Sequence, residues 1–107
     1  MSYKVIATES FIRDLKHLNK KYPSFKKDIA GLEEILTSTP TIGVALGNDC
    51  YKIRLLISSK GRGKSGGGRV ITCIKIIRET VYLLAVYDKS EQEDLPEKEL
   101  NSLLKQL

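Results

Sequence analysis

Apolar positions along this chain change spacing from one segment to the next, and each change marks an element. Tyr3 to Ala7 alternates loosely and is ended by Thr8-Glu9-Ser10, which predicts a short strand. Phe11, Leu15, Leu18 and Tyr22 then recur at helical spacing, one stripe of a helix that Pro23 interrupts. Ser24 reads as the N-cap of a second helix, in which Phe25, Ile29, Leu32, Ile35 and Leu36 form the apolar face and Thr39-Pro40 with Gly43 makes the end. These two segments predict a helical hairpin.

Beyond it the period falls to two. Leu46 to Asp49 reads as a turn, and Cys50 to Ile57 as a strand with Tyr51, Ile53, Leu55 and Ile57 on one face and Lys52, Arg54 and Leu56 on the other. Ser58 to Gly68 holds five glycines and no core-forming run, so it is expected as a mobile connection. Arg69 to Ile77 resumes a strand rich in Val, Ile and Thr, Arg78-Glu79 turns, and Thr80 to Tyr87 is apolar enough to lie covered on both faces. Ser90 and Glu93 have capping-box spacing, Pro96 suits the first turn of a last helix, and Leu100, Leu103, Leu104 and Leu107 form its apolar face. The order predicts one α+β domain over residues 1–107. A small antiparallel sheet, the N-terminal strand plus a three-stranded meander, would carry the helical hairpin and the C-terminal helix on one side and leave the other side open.

Charge sharpens this picture. The formal net charge is +5, but the segment from Cys50 to Arg78 holds eight Lys and Arg and no acid, leaving ten basic and 13 acidic groups elsewhere. The positive charge is therefore localised on the hairpin from Lys52 to Arg69, a surface suited to a polyanion. No apolar run approaches the roughly 20 residues of a membrane span and no long apolar leader opens the chain, so a soluble, cytosolic protein with no membrane partner is expected. Cys50 and Cys73 form no CxxC or Cys/His cluster, and His17 sits among lysines as a surface residue. No metal site is expected, and the cysteines read as buried thiols, with a strand-to-strand disulfide left open.

Two motif matches in the glycine-rich arm are accidental. Gly61, Gly63 and Gly66 have the G-x-G-x-x-G spacing, but a strand follows where a dinucleotide site needs a helix. Gly63-Lys64-Ser65 looks like the end of a P-loop, yet the upstream glycine is replaced by Ser58. What remains is an arm in which Lys60, Arg62 and Lys64 alternate with small residues that let phosphates approach the backbone.

The strand Lys52-Ile53-Arg54, the arm Ser59-Lys-Gly-Arg-Gly-Lys-Ser-Gly-Gly67, the returning Arg69, and Leu84-Ala-Val-Tyr87-Asp-Lys89 together resemble the RelE/HigB toxins of the RelE/ParE superfamily, most of all the HigB-type branch. The resemblance covers nearly the whole chain. It implies the RelE-like microbial RNase fold and the toxin of a type II toxin-antitoxin system. Such a toxin is a ribosome-dependent endoribonuclease that cuts mRNA in the A site of the small ribosomal subunit and so inhibits translation. It implies a cognate antitoxin with a DNA-binding domain, operator DNA reached only through that antitoxin, and no cofactor. Residue by residue, Lys52 and Arg54 match the basic strand positions, Arg69 the arginine that stabilises the transition state, and Lys89 a basic residue just past the last strand. Ser90 stands where an arginine is common, and Pro96 near the place of a frequent tyrosine. Tyr87 or the arm (Lys60, Arg62, Lys64) is then the available substitute, and Tyr87 reads equally well as core. A ParE-like inhibitor of DNA gyrase and a non-catalytic RNA-binding module are the alternatives.

Overall fold

The computed structural model of the chain describes residues 2–60 and 67–107. Strand β1 (Lys4–Ala7) passes directly into helix α1 (Glu9–Lys21), and Thr8 between them is extended, its Oγ1 accepting the Phe11 N–H at 3.2 Å. That bond satisfies one of the N–H groups a helix start leaves unpaired. Helix α2 (Phe25–Ser38) follows Pro23. Phe11 and Leu18 of α1 and Phe25, Ile29, Leu32 and Leu36 of α2 are buried, as the helical spacing requires. Ile35 is not among them and stands 52% exposed, because each residue turns about 100° from its neighbour on a helix. Ser24 makes no side-chain cap either: its hydroxyl bonds to Asp28 Oδ2 at 2.8 Å and accepts the Ser59 N–H at 2.9 Å.

Val44–Gly47 forms strand β2, which takes up Leu46 and Gly47 of the expected Leu46–Asp49 turn and leaves Asn48 and Asp49 as the turn itself. It pairs with β3 (Cys50–Leu55) across Asn48 and Asp49, whose φ values of 54° and 61° are both left-handed. Such a two-residue turn matches the twist of a tight hairpin. All of β2 is exposed, and Val-Ala-Leu-Gly has neither the length nor the β-branched content that announces a strand.

Strands β4 (Gly68–Lys75) and β5 (Thr80–Asp88) complete a five-stranded sheet in the order β1-β5-β4-β3-β2. The expected α+β architecture is present, with one strand more than predicted. Its sheet is mixed, since β1 runs parallel to β5 and the other neighbours are antiparallel. Interior strand β5 is covered on both faces as expected, with only Tyr82 less than fully buried. Past Ala7, where β1 ends, α1 takes over this edge: Asp14 Oδ2 accepts the Val86 N–H at 3.3 Å. A free strand edge is thereby closed.

Helix α3 (Glu97–Leu104) lies on the opposite face from α1 and α2, not beside them. One face of the sheet is already filled by Ile53, Leu55, Val70, Ile74, Val81, Leu83 and Val86 against α1 and α2. A register shift between Ile71 and Thr72 leaves Leu84 without a partner, and Leu84 and Ala85 both join the second core, with Ile71 and Tyr87. Leu95, Leu100, Leu103 and Leu104 cover that core. The Ser90–Glu93 capping box does not form, because the Ser90 N–H and Oγ both bond to Asp88 Oδ1, at 3.0 and 2.8 Å. Pro96 stands at the N-cap of α3 instead. Among the described residues no helix is long and apolar enough to cross a membrane.

Cys50 and Cys73 face each other across β3 and β4, both buried and both free. Burial, and then the neighbouring Cys73, pushes the Cys50 thiol from its ordinary 9.0 up to about 12. The thiolate is the reactive species, so iodoacetamide at pH 8 is expected to leave Cys50 unmodified in the native protein and to alkylate it at once in denaturant. Peptide mass spectrometry reads the result, and fast native labelling would contradict this burial. Below about pH 9 the thiol is protonated in both folded and unfolded chains, and stability is lost only as pH rises from there toward 12.

Candidate active site

The open part of the second face lies over β3 and the adjoining ends of β4 and β5. Alternation along β3 turns Ile53 and Leu55 inward and presents Lys52 and Arg54 on this face. Arg54 stands directly opposite Arg69 of β4, and Arg69 directly opposite Tyr87 of β5. Residues paired in this way share a face with their Cβ atoms about 5 Å apart. Two arginines and a tyrosine thus form one row across three strands. Like charges placed opposite each other destabilise a sheet, so the Arg54–Arg69 pair weighs against the fold. Arg54 is exposed, and Arg69 is half-buried with its Nη1 donating to Gly68 O at 3.0 Å.

Beside this row, Lys52 and Tyr87 converge on a residue that the sequence reading did not single out. Asp94 Oδ1 takes the Lys52 Nζ at 3.3 Å and the Tyr87 hydroxyl at 3.2 Å, and it also accepts the Leu95 N–H at 2.9 Å. The Leu95 N–H first, and Lys52 with it, holds the Asp94 carboxyl below its ordinary range. Tyr87 is buried at 6% exposure, and burial followed by the Asp94 charge pushes its phenol up to about 12. Tyr87 is therefore both core and site: its ring packs in the second core while its hydroxyl reaches the polar face. At neutral pH it is protonated and donates its hydrogen bond to Asp94.

The roots of the glycine-rich arm are fixed. On one side Ser58 starts a short 3-10 turn (Ser58–Lys60), with its N–H and Oγ bonded to Asp28 at 3.0 and 2.7 Å. On the other, Gly67 has φ +76°, and a Cβ there would sit 2.9 Å from Leu55 O. Only glycine suits both conditions. The Lys89 N–H donates to Gly67 O at 3.1 Å, extending the β4–β5 ladder one residue past β5 and bringing Lys89 to the same end of the sheet as Arg69.

Of the residues singled out by sequence, the structure groups Lys52, Arg54, Arg69 and Tyr87, with Lys89 at the neighbouring strand end. Arg62 and Lys64 lie outside the described residues, as does the side chain of Lys60. His17 is on the surface, as read. Asp94 escaped notice because it belongs to an acidic run, Glu91-Gln-Glu-Asp94, that reads as a solvated loop. Nothing local says that one of its carboxylates faces Lys52 from 42 residues away.

Comparison with known proteins agrees with this fold. The model of the family described as the RelE toxin of the RelE/RelB toxin-antitoxin system matches residues 4–106. Among solved structures, a mutant of the E. coli toxin RelE in the free state superposes with a TM-score of 0.66 at 16% identity, covering 100% of this chain and 99% of that one. The intact E. coli RelBE toxin-antitoxin complex gives a TM-score of 0.57 at 23% identity, over 79% of this chain and 94% of that one. At such identities the two structures speak for the fold, while the match over residues 4–106 carries the family. This chain belongs to the RelE family of toxins.

Proposed function

We propose that the chain is a ribosome-dependent endoribonuclease that cuts mRNA in the A site of the small ribosomal subunit and thereby stops translation. The observation that carries this reading is the Arg54–Arg69–Tyr87 row with Lys52 beside it: fixed cations and one phenol on an otherwise open face. Attack of a ribose 2′-OH on the adjacent phosphate builds negative charge on the phosphoryl oxygens and on the departing 5′-oxygen. Arginine forks match phosphate oxygens in paired hydrogen bonds. In this reading Arg69, from the middle of the sheet, stabilises the transition state, Arg54 and Lys52 bind the phosphate, and Lys89 adds charge from the strand end. Tyr87, protonated at neutral pH, supplies a proton to the 5′-oxygen as its bond to phosphorus breaks, and the 2′-OH proton passes to solvent water as the 2′-oxygen bonds to phosphorus. This chemistry draws on side chains and solvent water, without a cofactor.

The partners follow from the same reading. The toxin acts in the cytosol on the ribosome and its mRNA, with Lys60, Arg62 and Lys64 of the arm gripping RNA. It is held in check by a cognate antitoxin whose DNA-binding domain provides the only link to operator DNA. The E. coli RelBE complex, similar over 79% of this chain, supports an antitoxin partner. To test the enzymatic reading, purified protein is incubated with a defined mRNA, with and without programmed ribosomes. Cleavage is expected only when ribosomes are present. Intact mRNA in both mixtures, with inhibition of DNA supercoiling by gyrase, would favour the ParE-like alternative, and binding without cleavage would favour a passive RNA-binding module.

A further inference from the structure

Three donors of the second face point at one place. Lys52 Nζ, Tyr87 Oη and the Leu95 N–H lie 3.3, 3.2 and 2.9 Å from a single oxygen, Asp94 Oδ1. Lys52 comes from β3 and Tyr87 from β5, so the fold brings these two donors together, while the Leu95 N–H is contributed by the residue next to Asp94. A carboxylate oxygen and a phosphodiester oxygen ask for the same partners: hydrogen-bond donors and positive charge, at the same distances. The Asp94 side chain is 62% exposed whereas that of Lys52 is 27% exposed. The anion is therefore the accessible member of the pair. Rotation of its side chain would carry the carboxylate into solvent and leave the donors in place.

We propose that the point now filled by Asp94 Oδ1 is a phosphate-oxygen subsite, which the chain's own carboxylate occupies until an RNA phosphodiester displaces it. This inference rests on the ribonuclease reading above and deepens it. Asp94 is then a surrogate ligand. In the RNA-free protein it holds Lys52 and the Tyr87 hydroxyl in the arrangement the phosphate will need, and it partly offsets the repulsion that Lys52, Arg54 and Arg69 exert on one another. RNA must break the Lys52–Asp94 pair to enter. An exposed pair of this kind is a weak barrier, so it lowers affinity without closing the site. It also favours RNA that presents several phosphates to the cationic face, because a lone phosphate gains least from displacing it. Nothing in the scheme asks Asp94 to move a proton, and its depressed basicity suits it poorly to that task.

The test uses a single-stranded 2′-O-methyl oligoribonucleotide, which binds but offers no 2′-OH for cleavage. Its affinity is measured by fluorescence anisotropy for wild type, Asp94→Asn, Lys52→Ala and the double variant. Asp94→Asn is expected to bind about three- to fivefold tighter than wild type, the factor set by an exposed ion pair that no longer has to be broken. In the Lys52→Ala background the same substitution is expected to change affinity much less, because the donor that both anions share is gone. Circular dichroism confirms folding, and Asp94→Ser replaces Asp94→Asn if the latter is unstable. Unchanged or weaker binding by a folded Asp94 variant overturns the proposal, as does equal tightening in both backgrounds, which would mark a general charge effect. Failure of every protein, wild type included, to bind the oligonucleotide would also overturn this inference, whereas the ribonuclease reading falls only if mRNA stays intact on programmed ribosomes.

Discussion

Replacing Arg69 by alanine is expected to lower mRNA cleavage by about a hundred- to a thousandfold, the loss typical when one charge-stabilising donor is taken from a transition state, while the protein stays folded. Arg69 sits in the middle of the row, opposite Arg54 on one side and Tyr87 on the other, and its guanidinium is oriented by the Gly68 carbonyl at 3.0 Å. The backbone hydrogen bonds of β4 do not depend on this side chain. Removal of one of two facing arginines relieves like-charge repulsion across β3 and β4, so stability should change by about 1 kcal/mol or less. Single-turnover cleavage on programmed ribosomes and urea unfolding together check the prediction. Arg69→Lys should recover only part of the rate, because an ammonium cannot offer a two-pronged contact. Wild-type cleavage by Arg69→Ala would remove this residue from the chemistry, and loss of cooperative unfolding would mean that its role is structural.

The largest effect on stability outside the apolar cores is expected at Asp88. This carboxylate is 1% exposed and ends β5. It accepts the Tyr22 hydroxyl from the end of α1 and, on its other oxygen, the Ser90 N–H and Oγ at 3.0 and 2.8 Å. A buried charge is tolerated only with such partners. Asp88→Ala would remove the hydrogen bonds that Tyr22 and Ser90 make to this carboxylate and should cost about 3 kcal/mol, read as a fall in the urea midpoint at unchanged slope. Asp88→Asn keeps an acceptor for Ser90 and should lose less. Activity should fall as well, since the segment after Asp88 carries Lys89 to the face. A loss under about 1 kcal/mol for Asp88→Ala would show that solvent replaces these bonds, contrary to this account.

Much of this architecture was legible in the sequence because its periods are long and clean. The α1 and α2 stripes, the inward Ile53 and Leu55 against the outward Lys52 and Arg54, and the doubly covered β5 all follow from spacing alone. The misses have physical causes. Strand β2 is four exposed residues whose partner, not its composition, makes it a strand. Helix α3 went to the second face because the irregular register at Ile71/Thr72 places Leu84 and Ala85 there, and an unpaired residue in a ladder leaves no mark in a hydropathy pattern. Ser24 and Ser90 have the chemistry of caps, but each found an acidic partner, Asp28 and Asp88 respectively. For the site, Lys52, Arg54 and Arg69 could be named from strand alternation and charge. That Arg54, Arg69 and Tyr87 stand in register, and that Asp94 ties Lys52 to Tyr87, depends on pairing between distant segments, which sequence spacing does not encode.

Primer extension on mRNA from cells expressing the protein shows whether the cationic row on the open face cuts mRNA on the ribosome. Wild type is expected to produce new 5′ ends within codons of translated messages soon after induction, and Arg69→Ala, expressed to the same level, is expected to produce none. Full-length message under wild-type expression, or the same cleavage ends from Arg69→Ala, would contradict the account.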